Sequence, residues 1–143
     1  MAAKKRRHVA SILVVGPDTA LIEGVAQTLI GAGNQVAISR DIPEALDSLK
    51  GTRPLLALVE CEELQARGSM LQNIVAQGGA LLAFHSDDDD SRLPHRVKRS
   101  TLAELKLPLE RQRLLALVKY VENRARVTGR DSSEMEPPQV DLR

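Results

Sequence analysis

Residues 12–18 of this chain read Ile-Leu-Val-Val-Gly-Pro-Asp, four apolar residues that stop at a glycine, a proline and an acid. Short, continuous apolar runs predict strands that are buried on both faces, as in a parallel sheet. In open α/β sheets the functional site lies beyond the carboxyl ends of such strands. The chain has three further runs that end abruptly: residues 55–59 before Glu60, residues 80–84 before His85, and residues 105–106 before Leu107 and Pro108.

Helical periodicity fills the segments between these strands. Leu21, Val25 and Leu29 lie four residues apart, Asp18 or Thr19 is placed to cap the start of this helix, and residues 31–33 contain the glycines that end it. Residues 86–100, which connect the fourth and fifth predicted strands, are predicted to form a short helix or an irregular loop. The predicted strands cover residues 11–15, 35–39, 54–60, 80–85 and 102–105, and the other helices cover residues 44–50, 62–76 and 109–126.

Five alternations of strand and helix with short connections predict a three-layer α/β/α fold. Right-handed crossovers make this a flavodoxin-like, doubly wound, five-stranded parallel sheet in the order 2-1-3-4-5. The folded domain is predicted over residues 10–126. Residues 1–9 are a basic, disordered lead-in, and residues 127–143 are a polar disordered tail or linker, which we expect to join a C-terminal output domain.

Composition limits the classes of partner. With a net charge of +1 and 1% aromatic residues, the 143-residue chain has no overall electrostatic attraction to nucleic acid and few of the rings that stack on bases, so we do not expect the domain to bind nucleic acid. No apolar run reaches the roughly 18 residues of a membrane span. The single cysteine, Cys61, excludes an internal disulfide and is typical of a reducing compartment, so we expect a cytoplasmic location.

With these landmarks, residues 11–122 resemble the receiver domain of bacterial response regulators. In that family the first strand ends in an acidic pair that holds Mg²⁺, and the third strand, which begins Pro-Asp-Leu, ends in the phosphoacceptor aspartate. Here Gly16 and Pro17 stand at the acidic pair, Asp18 stands at a third, often acidic position, and Glu60 stands at the phosphoacceptor. Because Gly16 and Pro17 offer no side-chain oxygen, the resemblance implies that this metal site is lost.

The resemblance extends to the last two strands. The family's fourth strand ends in a threonine or serine, and its fifth leads into a Lys-Pro pair. His85 stands at the hydroxyl position, Leu107 replaces the lysine with Lys106 one residue too early, and Glu104 stands near the family's switch aromatic. Leu107 cannot pair with a phosphoryl group. The resemblance therefore implies a remnant site without catalytic residues.

Other constellations give no predicted metal or cofactor site. Cys61, His85 and His95 lack zinc-like spacing, and no further ligand is evident from the sequence. The acidic run of residues 87–90 lacks the alternation of a Ca²⁺ loop. We therefore predict no cofactor and no metal.

The predicted function is a receiver-like signalling domain, not an enzyme, that acts through protein–protein contacts without conventional aspartate phosphorylation. It would contact a protein partner or a second copy through the region after the fourth strand and the last helix. One alternative is a small-ligand or metal sensing domain on the same fold. The other is a phosphorylatable response regulator with an atypical site.

Overall fold

The computed structural model describes residues 11–71, 74–86 and 94–134 of the chain. The lead-in of residues 1–9, the acidic run of residues 87–90 and residues 135–143 of the tail lie outside this range. Strands and α-helices alternate, and a short 3-10 helix, Gly68–Leu71, follows α3. The elements are β1 (Ser11–Val15), α1 (Thr19–Gly31), β2 (Gln35–Ser39), α2 (Ile42–Leu49), β3 (Leu56–Glu60), α3 (Cys61–Arg67), β4 (Ala80–Ser86), α4 (His95–Lys98), β5 (Ala103–Leu107) and α5 (Arg111–Glu134).

The five strands form one sheet in the order β2-β1-β3-β4-β5, and every neighbouring pair is parallel. The predicted fold class and strand order are confirmed. Because all five strands run the same way, their carboxyl ends meet along one edge of the sheet. Gly16 directly follows β1 at this edge, and Glu60 and Ser86 end β3 and β4.

Alternation along the strands divides the core into two layers. On β1, Ile12 and Val14 face α1 and α5, whereas Leu13 and Val15 face α2 and α3. The same alternation continues on β4, where Phe84 belongs to the α1/α5 layer and Ala83 to the other. All of these side chains are at most 1% exposed. The face on which a residue lies therefore decides whether it can reach a given site.

Side chains at strand ends start the helices. The backbone N–H of Leu21 donates to Asp18 Oδ1 at 3.1 Å, and that of Glu44 donates to Asp41 Oδ1 at 2.9 Å. Such caps stabilise a helix by about 1 kcal/mol each. Helix α2 starts at Ile42, two residues before the predicted residue 44, with Asp41 as its N-cap and Pro43 in its first turn, where proline is favoured.

The segment after β3 differs from the prediction. Helix α3 ends at Arg67 instead of residue 76, since Gly68 and Ser69 are poor helix formers and the chain tightens into the 3-10 helix. It then returns to the sheet, with the Ala76 N–H donating to Pro54 O at 2.8 Å. Gly79 is required at the entry to β4, because a Cβ there would lie 2.1 Å from Leu55 O.

Two other elements have shifted bounds. Strand β5 covers Ala103–Leu107 instead of residues 102–105, because Leu105 and Leu107 are both fully buried in the α1/α5 layer while Leu102 is exposed. Helix α5 continues to Glu134, past its predicted end at Arg126 and into the segment predicted to be disordered. Once a helix is nucleated, each added residue gains a backbone hydrogen bond without needing burial.

Among the described residues, no helix combines the length and the apolar character that crossing a membrane requires.

Candidate functional site

A small cleft of about 120 Å³ lies at the carboxyl edge of the sheet, where β1, β3 and β4 end. Four of the predicted site residues come together there. The cleft is lined by Gly16, Pro17, Asp18, Glu60, Phe84 and Ser86, and by Leu21 and Ile22 of α1. His85 and Leu107 do not line it.

Gly16 lies at a tightly packed position in the cleft. Its backbone N–H donates to Ser39 O at 3.0 Å, which fixes the end of β1 to β2. A Cβ at this position would lie 3.2 Å from Phe84 Cζ, 3.3 Å from Glu60 Cβ and 3.3 Å from Ile22 Cγ2. Phe84 is fully buried, so its ring has little freedom to withdraw. The aromatic ring thus packs against the place where a side chain of residue 16 would begin.

Glu60 ends β3 and caps the helix that follows. Its Oε1 accepts a hydrogen bond from the Glu63 backbone N–H at 3.0 Å, and the residue is partly buried. Glu60 pairs with Phe84 in the β3–β4 register. Glu60 therefore lines the cleft, and its carboxylate is hydrogen-bonded to the start of α3 as an N-cap.

The residues that follow β1 supply little metal-binding capacity. Pro17 is exposed and carries no side-chain oxygen, and Asp18 uses Oδ1 to cap α1. Mg²⁺ requires oxygen ligands in a near-octahedral arrangement. Among the described residues that line this cleft, Asp18 and Glu60 carry carboxylates, and each accepts a backbone N–H group from a helix.

At the end of β4 the structure places Ser86, not His85, in the cleft. Strand β4 runs one residue beyond its predicted end, and side chains alternate between the two faces of the sheet. Phe84 and Ser86 consequently face the cleft, while His85 lies on the face covered by α3. The residue that lines the cleft at the end of β4 is thus Ser86, one residue after His85, which the resemblance aligns with the family's threonine or serine. The alternation of Leu82, Phe84 and Ser86 was the sequence signal for it.

Strand β5 brings no ammonium group to the cleft. Leu107 pairs with Ser86, is fully buried and belongs to the α1/α5 core layer. Lys106 pairs with His85, and its side chain lies on the opposite face of the sheet from Leu107. The Leu107–Pro108 peptide bond is cis. Because Lys106 and Leu107 lie on opposite faces of the sheet, Lys106 does not compensate for Leu107.

His85 belongs to a second cluster, on the α3 side of the sheet. Its Nε2 lies 3.5 Å from Glu104 Oε2, and Cys61 Sγ lies 4.0 Å from the same oxygen. Lys98 Nζ is 3.9 Å from Glu104 Oε1. The sequence pattern grouped Cys61 with His85 but placed Glu104 only near the family's switch aromatic, because it is the β4–β5 pairing that brings Glu104 to His85.

Sequence reasoning missed Glu63, a buried carboxylate behind the cap of α3. Its Oε2 accepts the Ile42 N–H at 2.7 Å, and its Oε1 accepts Arg67 Nη1 at 2.7 Å. This side chain joins the start of α2 to α3, so both its oxygens are engaged in holding helices. It is a structural group, and its i,i+4 spacing to Arg67 was the sequence signal.

Neither a family model nor a curated protein matches the chain, but solved structures do. NtrX from Brucella abortus matches with a TM-score of 0.71 and 16% identity over 87% of this chain and 29% of NtrX. A CheY-like response regulator receiver domain from Methylobacillus flagellatus matches with a TM-score of 0.67 and 14% identity over 79% of this chain and 98% of that one. A putative response regulator from Chloroflexus aurantiacus matches with a TM-score of 0.67 and 21% identity, over 81% of this chain and 99% of that one.

These neighbours define the class of fold. The chain has the CheY-like, flavodoxin-like fold of response-regulator receiver domains. It spans 29% of the length of NtrX and nearly all of the two smaller structures.

Proposed function

We propose that this chain is a receiver-like signalling domain that acts through protein–protein contacts, without conventional aspartate phosphorylation. The observation that carries the proposal is the packing of Phe84 against Gly16, with Cζ 3.2 Å from the position of an added Cβ. Gly16 and Pro17 stand where the resemblance puts the family's metal-binding acids, and the ring of Phe84 packs against the place where a side chain of residue 16 would begin. A non-enzymatic role and a cytoplasmic location are part of the proposal.

The chemistry of phosphoryl transfer supports it. Transfer to a carboxylate depends on positioning and on neutralising the charge of the phosphoryl group, tasks that fall to a metal ion and cationic side chains. The cleft offers neither an acidic pair after β1 nor a lysine from β5, and Glu60 is held as an N-cap. Ser86 alone, as a hydroxyl donor, does not replace them.

Incubation of the full chain with Mg²⁺ and acetyl phosphate is expected to leave its intact mass unchanged. The physical reason is the missing charge neutralisation in the cleft. A receiver domain with an intact acidic site, treated in parallel, shows that the phosphodonor is active. An adduct that is stable enough to detect, and that disappears in the Glu60→Gln variant, would overturn the proposal and establish the atypical phosphorylatable regulator.

Sensing of a small organic ligand in the cleft receives little support from its size. Pockets for drug-sized ligands enclose about 300–1,000 Å³, whereas this cleft measures about 120 Å³. Phe84 and Ile22 fill its floor and are at most 1% exposed. Metal sensing is supported at a different place, the cluster of Cys61, His85 and Glu104.

The exposed face of α5 is the contact surface that we propose, with a second copy of this chain as the occupant. Three exposed residues lie on one side of this helix, because their spacings of four and then seven residues match the helical repeat: Ala116, Tyr120 and Val127. Spacings of this kind are those of a coiled-coil seam. An output domain joined through α5 remains a prediction.

Charge in place of this apolar stripe is expected to abolish self-association. A double variant, Tyr120→Glu with Val127→Glu, should sediment as a monomer at concentrations where the unaltered chain forms a dimer, because charged groups would be buried in the seam. Ile38→Glu is the matched control, since Ile38 is 44% exposed on edge strand β2. A monomeric unaltered chain, or a dimer insensitive to the double variant, would exclude this surface.

A further inference from the structure

We propose that Cys61, His85 and Glu104 form a site for a transition-metal ion, with Zn²⁺ as the best-suited ion. One ligand atom from each residue, the Cys61 thiol, a His85 ring nitrogen and a Glu104 carboxylate oxygen, lies within 4.8 Å of the other two. The site is on the α3 side of the sheet and shares no residue with the cleft. It does not depend on the proposal about phosphorylation.

The geometry is close to that of a tetrahedral zinc centre. Zinc binds sulfur at about 2.3 Å and nitrogen or oxygen at about 2.0–2.2 Å, so ligand atoms sit roughly 3.2–3.7 Å apart around it. His85 Nε2 and Glu104 Oε2 are already 3.5 Å apart, and Cys61 Sγ is 4.0 Å from the same oxygen. Movements of less than about 1 Å would complete the three-ligand set, with water as a fourth ligand.

The charges and the ligand types both favour zinc. A cysteine thiolate and a carboxylate together neutralise a divalent ion, and this matters because Cys61 is fully buried and His85 is 6% exposed. Thiolate and imidazole select Zn²⁺ over Mg²⁺ or Ca²⁺, which prefer oxygen. Lys98 Nζ lies 3.9 Å from Oε1 of Glu104, so it pairs with the carboxylate oxygen that the metal would not need.

Burial argues against the other chemistry that a cysteine, a histidine and a carboxylate can perform. A nucleophilic cysteine must meet its substrate, but Cys61 has no exposed surface. The Glu104 side chain is 16% exposed, which gives a small ion an approach without admitting a larger substrate. The arrangement therefore fits an ion held for structure or regulation.

The position of the site gives it a physical consequence. Cys61 is the first residue of α3, His85 lies near the end of β4, and Glu104 lies on β5. A bound ion would tie these three elements together immediately beside Glu60, the cap of α3. Metal binding at Cys61 would therefore affect the neighbouring Glu60, at the carboxyl edge of the sheet.

The test uses the full chain, tag-free and reduced, with Zn²⁺ and Co²⁺ as probes. We expect one equivalent of Zn²⁺ to bind, and bound Co²⁺ to show a thiolate-to-cobalt charge-transfer band. Cys61→Ser should remove that band. Cys61→Ser and Glu104→Gln should each weaken zinc binding by more than roughly 100-fold, since losing even an outer-shell partner costs about 10- to 100-fold. At zinc concentrations about 100-fold above Kd, Tm should rise by roughly 10 °C.

Glu62→Gln is the matched control, because Glu62 is exposed and adjacent to Cys61 in sequence. It should bind zinc like the unaltered chain. Circular dichroism of each metal-free variant establishes that it is folded, and Glu104→Gln keeps the size and shape of the side chain. The proposal is overturned if the folded chain binds no Zn²⁺, or if Cys61→Ser and Glu104→Gln bind Zn²⁺ as tightly as the unaltered chain. The cluster would then be a hydrogen-bonded network only.

Discussion

Replacing Phe84 with alanine is expected to lower the free energy of unfolding by about 3–5 kcal/mol. The ring is fully buried in the core layer between the sheet and helices α1 and α5. It also packs against Gly16 and forms part of the cleft. Truncation would remove its apolar contacts and leave a cavity that Gly16, which has no side chain, cannot fill. Urea unfolding followed by circular dichroism measures the loss.

Tyr120→Ala is the matched control for this experiment, since Phe84 and Tyr120 are the only aromatic residues in the chain. Tyr120 is 52% exposed and contacts Arg124, whose guanidinium carbon lies 5.5 Å from the ring centre. At protein concentrations low enough for the chain to be monomeric, its removal should cost no more than about 1 kcal/mol. Comparable losses in the two variants would show that the ring of Phe84 does not support the core as described.

Restoring an acid at the end of β1, in the variant Gly16→Asp, is expected to destabilise the fold by about 1–3 kcal/mol through overpacking alone. The new Cβ would lie 3.2–3.3 Å from atoms of Phe84, Glu60 and Ile22. Its carboxylate would add repulsion from Glu60, whose own carboxylate caps α3. Denaturant unfolding of the variant at neutral pH measures the combined effect.

Gly24→Asp is the control, because a Cβ at Gly24 meets nothing within 4 Å and the residue is exposed on α1. It should change stability by no more than about 0.5 kcal/mol. A double variant that combines Gly16→Asp with Phe84→Ala provides a further check. Because Phe84→Ala opens space beside residue 16, the two losses should sum to more than the loss of the double variant. Additive losses would mean that the ring does not restrict this position.

The fold could be predicted from the sequence because each level of pattern agreed. Apolar runs such as residues 12–15 and 55–59 predicted buried parallel strands, and the four-residue spacing in α1 predicted the helix that covers them. Short connections then left one plausible topology, which the structure confirms. The end of α5 at Glu134 was not predicted, because adding residues to an existing helix does not require the apolar periodicity on which the predicted end at Arg126 rested.

The site was less predictable, for a reason of geometry. A shift of one residue along a strand moves a side chain to the other face of the sheet. The predicted end of β4 at residue 85 thus put His85 in the cleft, where the structure places Ser86. That Glu104 contacts His85 could not be predicted, for a different reason. Glu104 lies 19 positions further along the sequence, and the two meet only through strand pairing.

The central claim is that this cleft neither binds Mg²⁺ nor accepts a phosphoryl group. Two-dimensional ¹⁵N–¹H NMR of the full chain, titrated with Mg²⁺ and beryllofluoride as a phosphoryl mimic, tests it most directly. The account predicts no saturable shifts of the amide signals of Gly16, Glu60 and Ser86. Saturable shifts centred on these three residues, lost in Glu60→Gln, would contradict it.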